Sequence, residues 1–80
     1  MKLRRFLIAL DEYFSSFSYY DEDLDDVVID GDEDECYRCL MQTDEFHLLG
    51  EETVRKLIHI SFSNWEEFVA LQHKYNAFAS

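Results

Sequence analysis

Proline is absent from this chain of 80 residues, and glycine and cysteine occur only twice each. Gly31 and Gly50 are too few for a glycine-rich loop that cradles phosphate. Cys36 and Cys39 are separated by two residues, so a disulfide between them would not join distant parts of a fold. The sequence therefore predicts neither a disulfide-rich secreted scaffold nor a nucleotide-binding loop.

Long apolar runs are also missing. The run near the start, Phe6 to Leu10, is ended by Asp11 and Glu12. An export signal needs roughly 7 to 15 apolar residues, and a membrane-spanning helix needs about 18 or more. We therefore expect a cytoplasmic protein that makes no contact with a membrane.

Basic residues are scarce: 7 Lys and Arg stand against 18 Asp and Glu, and the formal net charge is -11. Affinity for nucleic acid and for anionic membranes comes from Lys and Arg, so we expect direct binding to neither. A basic protein is the expected partner. Because 48 % of the residues are apolar, with seven Phe, five Tyr and one Trp, we expect a single folded domain, residues 1–80.

Two segments have the apolar spacing of amphipathic helices. The first segment predicts a helix over about residues 2–18 that stops near Tyr20. Its apolar residues at helical spacing are Leu3, Phe6, Leu7, Leu10, Tyr13, Phe14 and Phe17. In the second, Ser63 and Glu66 have the spacing of a capping box, in which each side chain bonds the other's backbone amide. This pattern predicts a helix that begins at Ser63 and runs to about Ala77.

The middle of the chain predicts strands. Val27, Val28 and Ile29 are β-branched and predict a short strand near residues 26–30, followed by a turn at Gly31. Further strands are expected at 36–42, at 46–49 and at 53–62, where apolar and polar residues alternate from residue 58. The predicted fold class is α+β: an N-terminal helix, an antiparallel meander of three or four strands, and a C-terminal helix. The alternative is an all-α bundle in which 36–49 and 51–61 are helices.

Ten of the fifteen residues from Asp21 to Glu35 are acidic, and we call residues 21–35 the acidic segment. Its apolar residues, Leu24 and Val27 to Ile29, are expected to anchor it to the core. More acids follow at 44–45 and 51–52, and between Asp21 and Val54 the only base is Arg38. A charge run is often only a solvated surface, but this segregation predicts one continuous acidic face.

Mimicry of nucleic acid requires carboxylates at fixed places, because duplex DNA carries about one charge per 1.7 Å of axis. Alternate side chains of a strand lie roughly 6.6 Å apart, so one strand needs flanking acidic turns to approach that density. In size, charge, aromatic content and its acidic segment the chain resembles small acidic inhibitors of phages and mobile elements, including anti-CRISPR and anti-restriction DNA mimics. The resemblance implies a non-enzymatic inhibitor that occludes the basic DNA- or RNA-binding site of a defence complex. The folds of such proteins vary, so no residue role is transferred.

The adjacent Tyr19 and Tyr20 are the best candidates for interface anchors, since two neighbouring side chains cannot both face inward. The expected partner-binding residues are Tyr19, Tyr20, Asp21, Glu22, Asp23, Asp25, Asp26, Asp30, Asp32, Glu33, Asp34 and Glu35. The alternative function is an interaction or regulatory module, such as an antitoxin or assembly factor, that binds a protein or a second copy of itself through an aromatic face.

Metal binding and catalysis fit the sequence poorly. A zinc site at Cys36 and Cys39 would need two more ligands, and the histidines, His47, His59 and His73, are irregularly spaced. If the segment is a strand, the two cysteines point to opposite faces. Read as an EF-hand loop that starts at Asp21 or Asp30, the sequence has Asp26 or Glu35 at the sixth position, where calcium binding requires glycine, and Asp32 or Met41 at the twelfth, where it requires glutamate. His59 with Ser61 and Ser63 is the only faint nucleophile arrangement. We expect no cofactor, no metal and no catalytic residue.

Overall fold

The computed structural model describes residues 2–78, and the side chains of residues 3–78. In chain order these residues form α1 (Lys2–Phe17), β1 (Ser18–Asp21), β2 (Asp26–Ile29), α2 (Glu33–Leu40), a 3₁₀ helix (Asp44–Leu49), α3 (Glu51–Ser63) and α4 (Trp65–Tyr75). The described part of the chain is therefore mostly helical, with one small antiparallel sheet of two strands. No helix within it is long and apolar enough to cross a membrane.

The core is built around α1, whose apolar side chains recur every three or four residues. Phe6, Leu7 and Leu10 are completely buried, and Tyr13 and Phe14 nearly so. The 3₁₀ helix, α4 and α2 all pack on this stripe. The predicted N-terminal helix is confirmed, and it ends at Phe17, where the chain turns into β1.

The sheet is a hairpin of β1 and β2, which pairs Ser18 with Ile29, Tyr19 with Val28, Tyr20 with Val27 and Asp21 with Asp26. The predicted strand near residues 26–30 is confirmed. Its partner β1 was expected to be the end of the first helix and a loop. A four-residue loop joins the strands, and its last residue, Asp25, has a φ of 51°, a left-handed conformation that Asp adopts more readily than most residues.

The predicted strands over 36–42 and 53–62 are wrong, because residues 36–40 belong to α2, residues 41–42 form a turn and residues 53–62 belong to α3. In α3 the buried positions are Val54, Ile58 and Ser61, which have helical rather than alternating spacing. Residues 46–49, also expected in a strand, belong to the 3₁₀ helix. The all-α alternative assigned helices correctly to most of these segments but omitted the hairpin.

The N-cap of α4 lies one residue later than predicted, and the predicted capping box between Ser63 and Glu66 does not form. Ser63 ends α3, and its hydroxyl donates to the His59 carbonyl at 2.7 Å. Asn64 is the N-cap: its Oδ1 accepts from the Glu67 amide at 3.2 Å, and its Nδ2 donates to the Glu67 carboxylate at 3.4 Å. The helix ends at Tyr75, before the predicted Ala77, because Asn76 adopts a left-handed conformation with a φ of 52°.

Candidate functional site

The structure divides the acidic segment among three places. Five of its carboxylates lie at the tip of the hairpin: Asp21, Glu22, Asp23, Asp25 and Asp26. Asp30 lies in the connection after β2. The remaining four, Asp32 to Glu35, begin α2. The acidic segment is therefore not a single strand with flanking turns.

The acids of α2 stabilise the fold. Asp32 is the N-cap, and its Oδ1 accepts from the Glu35 amide at 2.8 Å. The next three carboxylates lie in the first turn, where the helix dipole favours negative charge. The helix thus accounts for much of the charge at 32–35 without a partner.

Two of these acids also connect α2 to α3. The Asp34 carboxylate lies 3.2 Å from the Arg55 guanidinium, which also bonds Glu51 at 3.1 Å. The hydrogen bonds that Arg55 donates to Glu51 and Asp34 raise the pKa of Arg55. His59 Nδ1 lies 3.2 Å from the Glu33 carboxylate. All these groups are substantially exposed, so water screens each pair and each contributes little to stability.

Three of the five hairpin carboxylates, those of Asp21, Asp25 and Asp26, are held by hydrogen bonds from within the hairpin. Asp21 Oδ1 accepts from the amides of Asp23 at 2.9 Å and Leu24 at 3.4 Å. Asp26 Oδ1 accepts from the Val27 amide at 2.8 Å. The Tyr20 hydroxyl donates to the Asp25 carboxylate, and this bond raises the pKa of Tyr20. Each carboxylate has about four acceptor sites, so it remains able to bind an external donor.

No Lys or Arg of the described residues forms an ion pair with the hairpin carboxylates. Arg5 pairs with Glu45, and Arg55 pairs with Asp34 and Glu51. The side chains of Glu22 and Asp23 at the tip are exposed and have no hydrogen bond or ion pair within residues 3–78. The hairpin therefore carries a charge that an external base is free to meet.

The hairpin and the helix end next to it also expose large apolar side chains. Among the described residues, eight such side chains are more than two-fifths exposed, and five of them lie here: Phe17, Tyr19, Tyr20, Leu24 and Val27. Since side chains alternate along a strand, Tyr19 and Tyr20 project from opposite faces of β1. The structure thus brings both candidate anchors beside the acids of the tip.

A groove of about 540 Å³ lies between the hairpin and the helices, and we call it the hairpin groove. Phe14, Phe62 and Trp65 form its aromatic part, with the Phe14 ring centroid 5.0 Å from Phe62 and 5.2 Å from Trp65. Val27 and Ile29 line it from β2. The Trp65 side chain is 45 % exposed. No local pattern predicts this groove, because α1, β2, α3 and α4 form it together.

The cysteines lie on α2, so the prediction that they occupy opposite faces of a strand is wrong. Cys36 is fully buried, whereas Cys39 is exposed. Burial raises the pKa of the Cys36 thiol to about 12, with further contributions from Cys39 and Glu33. A thiol that stays protonated at neutral pH is a poor nucleophile and a poor metal ligand. Within residues 3–78, no three His, Cys, Asp or Glu side chains come together as a metal-binding group.

Comparisons of the chain with protein-family models, with curated proteins and with solved structures find no match. The candidate site is accordingly defined by the hairpin itself. It combines two exposed tyrosines, an adjoining apolar groove and five carboxylates, none of which forms an ion pair with a described Lys or Arg.

Proposed function

We propose that this chain is a non-enzymatic inhibitor, with anti-CRISPR-like DNA mimicry as its mode of action. Its hairpin covers a basic, nucleic-acid-binding surface of a partner protein or complex in the cytoplasm. The observation that carries this proposal is the set of five hairpin carboxylates: none pairs with a described Lys or Arg, and hydrogen bonds hold three of them, those of Asp21, Asp25 and Asp26. A basic groove that binds phosphates offers the cations that these carboxylates lack.

The fixed geometry of the three hydrogen-bonded carboxylates favours tight binding. A charged group that is already ordered loses less conformational freedom when it meets its partner. The net charge of -11 steers a basic partner toward the protein and makes the association sensitive to salt. Tyr19 and Tyr20 add apolar area at low entropic cost, as tyrosines do at interface hot spots.

Some acidic side chains support the fold, and replacing them would not test partner binding alone. Asp32, Glu33 and Asp34 support α2, so replacing them with lysine would disturb the fold as well as the surface. Glu22 and Asp23 have exposed side chains with no partner within residues 3–78. The double variant Glu22→Lys, Asp23→Lys therefore changes the surface with little effect on stability.

The proposal is tested by affinity capture from a lysate of the bacterial host, with competition by duplex DNA. We expect wild-type protein to capture a basic protein or complex that added DNA and high salt both release. The Glu22→Lys, Asp23→Lys variant should fail to capture it. The matched control, Glu12→Lys with Glu52→Lys, makes the same change of charge on α1 and α3 and should still bind. Capture that neither DNA nor the hairpin variant reduces would contradict the proposal.

The second candidate is a regulatory interaction module, such as an antitoxin or assembly factor. The exposed aromatic side chains at the hairpin favour it, because a partner can bind them without a nucleic-acid-binding groove. In that case Tyr19→Ser should abolish capture, whereas DNA and the double lysine variant should have no effect. Self-association through the same face would appear as a dimer in sedimentation equilibrium, which Tyr19→Ser should convert to a monomer.

A further inference from the structure

We propose that the hairpin groove binds a basic amphipathic helix of the partner protein. This inference rests on the proposed function, because it names the element of the basic partner that the chain recognises. The groove and the carboxylates of the tip belong to the same hairpin, so one partner surface can meet both.

The groove is suited to apolar side chains. Its aromatic part consists of Phe14, Phe62 and Trp65, and Val27 and Ile29 form the opposite wall. Val27 is 59 % exposed and Trp65 45 % exposed, so both have apolar surface left to bury. The volume of about 540 Å³ lies in the range of sites that accommodate several groups of a ligand, roughly 300 to 1,000 Å³. Binding there would remove this apolar surface from water.

The charges around the groove select a basic occupant. Asp26 lines the groove together with Asp11, whereas no Lys or Arg with a described side chain does. The remaining hairpin carboxylates follow directly along the loop from Asp21 to Asp25. A segment with Lys or Arg beside its apolar side chains can contact both the apolar walls and these carboxylates. An acidic or neutral segment can bind favourably only to the walls.

The walls favour a helix over an extended strand. Val27 and Ile29 are two residues apart, so both project from one face of β2, and their cross-strand partners place Tyr20 and Ser18 on the same face. An occupant therefore meets the side-chain face of the hairpin rather than unpaired groups along its edge. Added strands bind to edges, while amphipathic helices pack their apolar side chains into grooves such as this one.

Trp65 makes the inference directly measurable, because it is the only tryptophan of the chain and lines the groove. The probe is a synthetic peptide of about 18 residues, long enough to form a helix, composed of Leu and Arg with Leu at positions i, i+3, i+4 and i+7. One control peptide has the same composition in a permuted order without a helical apolar face. A second control replaces every Arg with Glu.

We expect the amphipathic Arg peptide to shift Trp65 emission to shorter wavelength in a saturable titration. Both control peptides should bind at least about tenfold more weakly, because each lacks either the apolar face or the positive charge. Equal binding of the permuted peptide would mean that net charge alone drives association and would overturn the inference. Equal binding of the Glu peptide would overturn it as well.

Two variants of one strand provide matched controls. Val27→Thr adds a hydroxyl to the groove wall, whereas Val28→Thr makes the same change on the opposite face of β2, beside Tyr19. Burying an unpaired hydroxyl is unfavourable, so Val27→Thr should weaken peptide binding by about fivefold or more. Val28→Thr should leave it unchanged. Circular dichroism checks that both variants fold, and equal effects of the two substitutions would contradict the inference.

The outcomes separate this inference from the proposed function. If the peptide fails to reach the groove while DNA-sensitive capture still depends on Glu22 and Asp23, the groove inference fails and the inhibitor proposal stands. If the peptide binds as expected but capture is indifferent to the hairpin charges, the inhibitor proposal fails.

Discussion

Tyr13→Phe should stabilise the protein. The Tyr13 side chain is 5 % exposed, and its hydroxyl has no hydrogen-bond partner among the described residues. A buried polar group without a partner costs about 1 to 3 kcal/mol of free energy. Phenylalanine keeps the ring in its contacts with Phe14 and Phe17 and removes only the oxygen. We expect a gain of about 1 kcal/mol or more in the free energy of unfolding, or roughly 4 to 8 °C per kcal/mol in Tm.

The Tyr13 hydroxyl should also make the free energy of unfolding depend on pH in the alkaline range. Burial, followed by the negative potential of Cys36 and Glu35, raises the pKa of Tyr13 from 10.0 to about 12. The folded state therefore holds this proton more tightly than the unfolded state. The stabilisation is complete below pH 10 and is lost as the pH rises from 10 toward 12. At 1.36 kcal/mol per pKa unit the loss is about 2 to 3 kcal/mol. Because phenylalanine does not titrate, the Tyr13→Phe protein should lose less of its free energy of unfolding than wild type over the same pH range.

A second substitution, Gly31→Ala, tests the surroundings of the Tyr13 hydroxyl from the neighbouring backbone. Its φ is +143°, and a Cβ atom there would lie 2.6 Å from the Tyr13 hydroxyl oxygen. Gly31→Ala should therefore suffer backbone strain of about 1 to 3 kcal/mol together with a steric clash. In the Tyr13→Phe background the nearest remaining atoms are 3.7 and 3.8 Å away, so only the strain remains. A double-mutant cycle should show that the two substitutions partly compensate.

Urea unfolding of the four proteins of this cycle, at neutral pH and at several values above pH 10, measures each quantity. The Cys36 thiol, whose pKa is also raised, is present in all four proteins. Two results would refute the reasoning: a Tyr13→Phe protein less stable than wild type at neutral pH, or one with the same alkaline loss. Additive effects of Tyr13→Phe and Gly31→Ala would refute the proposed clash.

Three further predictions concern the caps and the hairpin. Asn64→Ala should lower stability by about 1 kcal/mol, while Ser63→Ala should cost about 0.5 kcal/mol or less; thermal unfolding that shows the reverse order would restore Ser63 as the cap. Asp32→Ala should also cost about 1 kcal/mol and Asp32→Asn much less, since asparagine caps equally well; equal losses in urea would contradict the role of the Oδ1 acceptor. Tyr20→Phe should accelerate amide hydrogen exchange at Leu24 and Val27, because it frees Asp25; unchanged exchange would mean that this bond does not hold the tip.

The helix and strand that the sequence predicted correctly have strong local patterns. α1 has apolar side chains at helical spacing over its full length, and β2 contains three consecutive β-branched residues. β1 was missed because pairing with β2 stabilises it more than local preference does. Of the twelve residues predicted as one partner-binding group, the two tyrosines and the five tip acids lie together on the hairpin, whereas Asp30 and the four acids of α2 lie elsewhere.

The error in α3 arose from a polar residue in the core. Ile58, Ile60 and Phe62 alternate with His59 and Ser61, so the pattern indicated that Ser61 faces solvent. Ser61 is instead buried, because its hydroxyl donates to the Ile58 carbonyl at 2.6 Å and is satisfied within the helix. The hairpin groove was beyond prediction for another reason: its walls come from segments that only the complete fold brings together.

The most direct test of the hairpin's role is the dissociation constant for the captured partner, measured over a range of salt concentrations. Wild-type protein should lose affinity steeply as salt rises. Glu22→Lys with Asp23→Lys should bind at least about 30-fold more weakly at low salt and depend less on salt, because two attractions become repulsions. The Glu12→Lys, Glu52→Lys control should stay much closer to wild type. An unchanged dissociation constant for the hairpin variant, with the same salt dependence, would contradict the account.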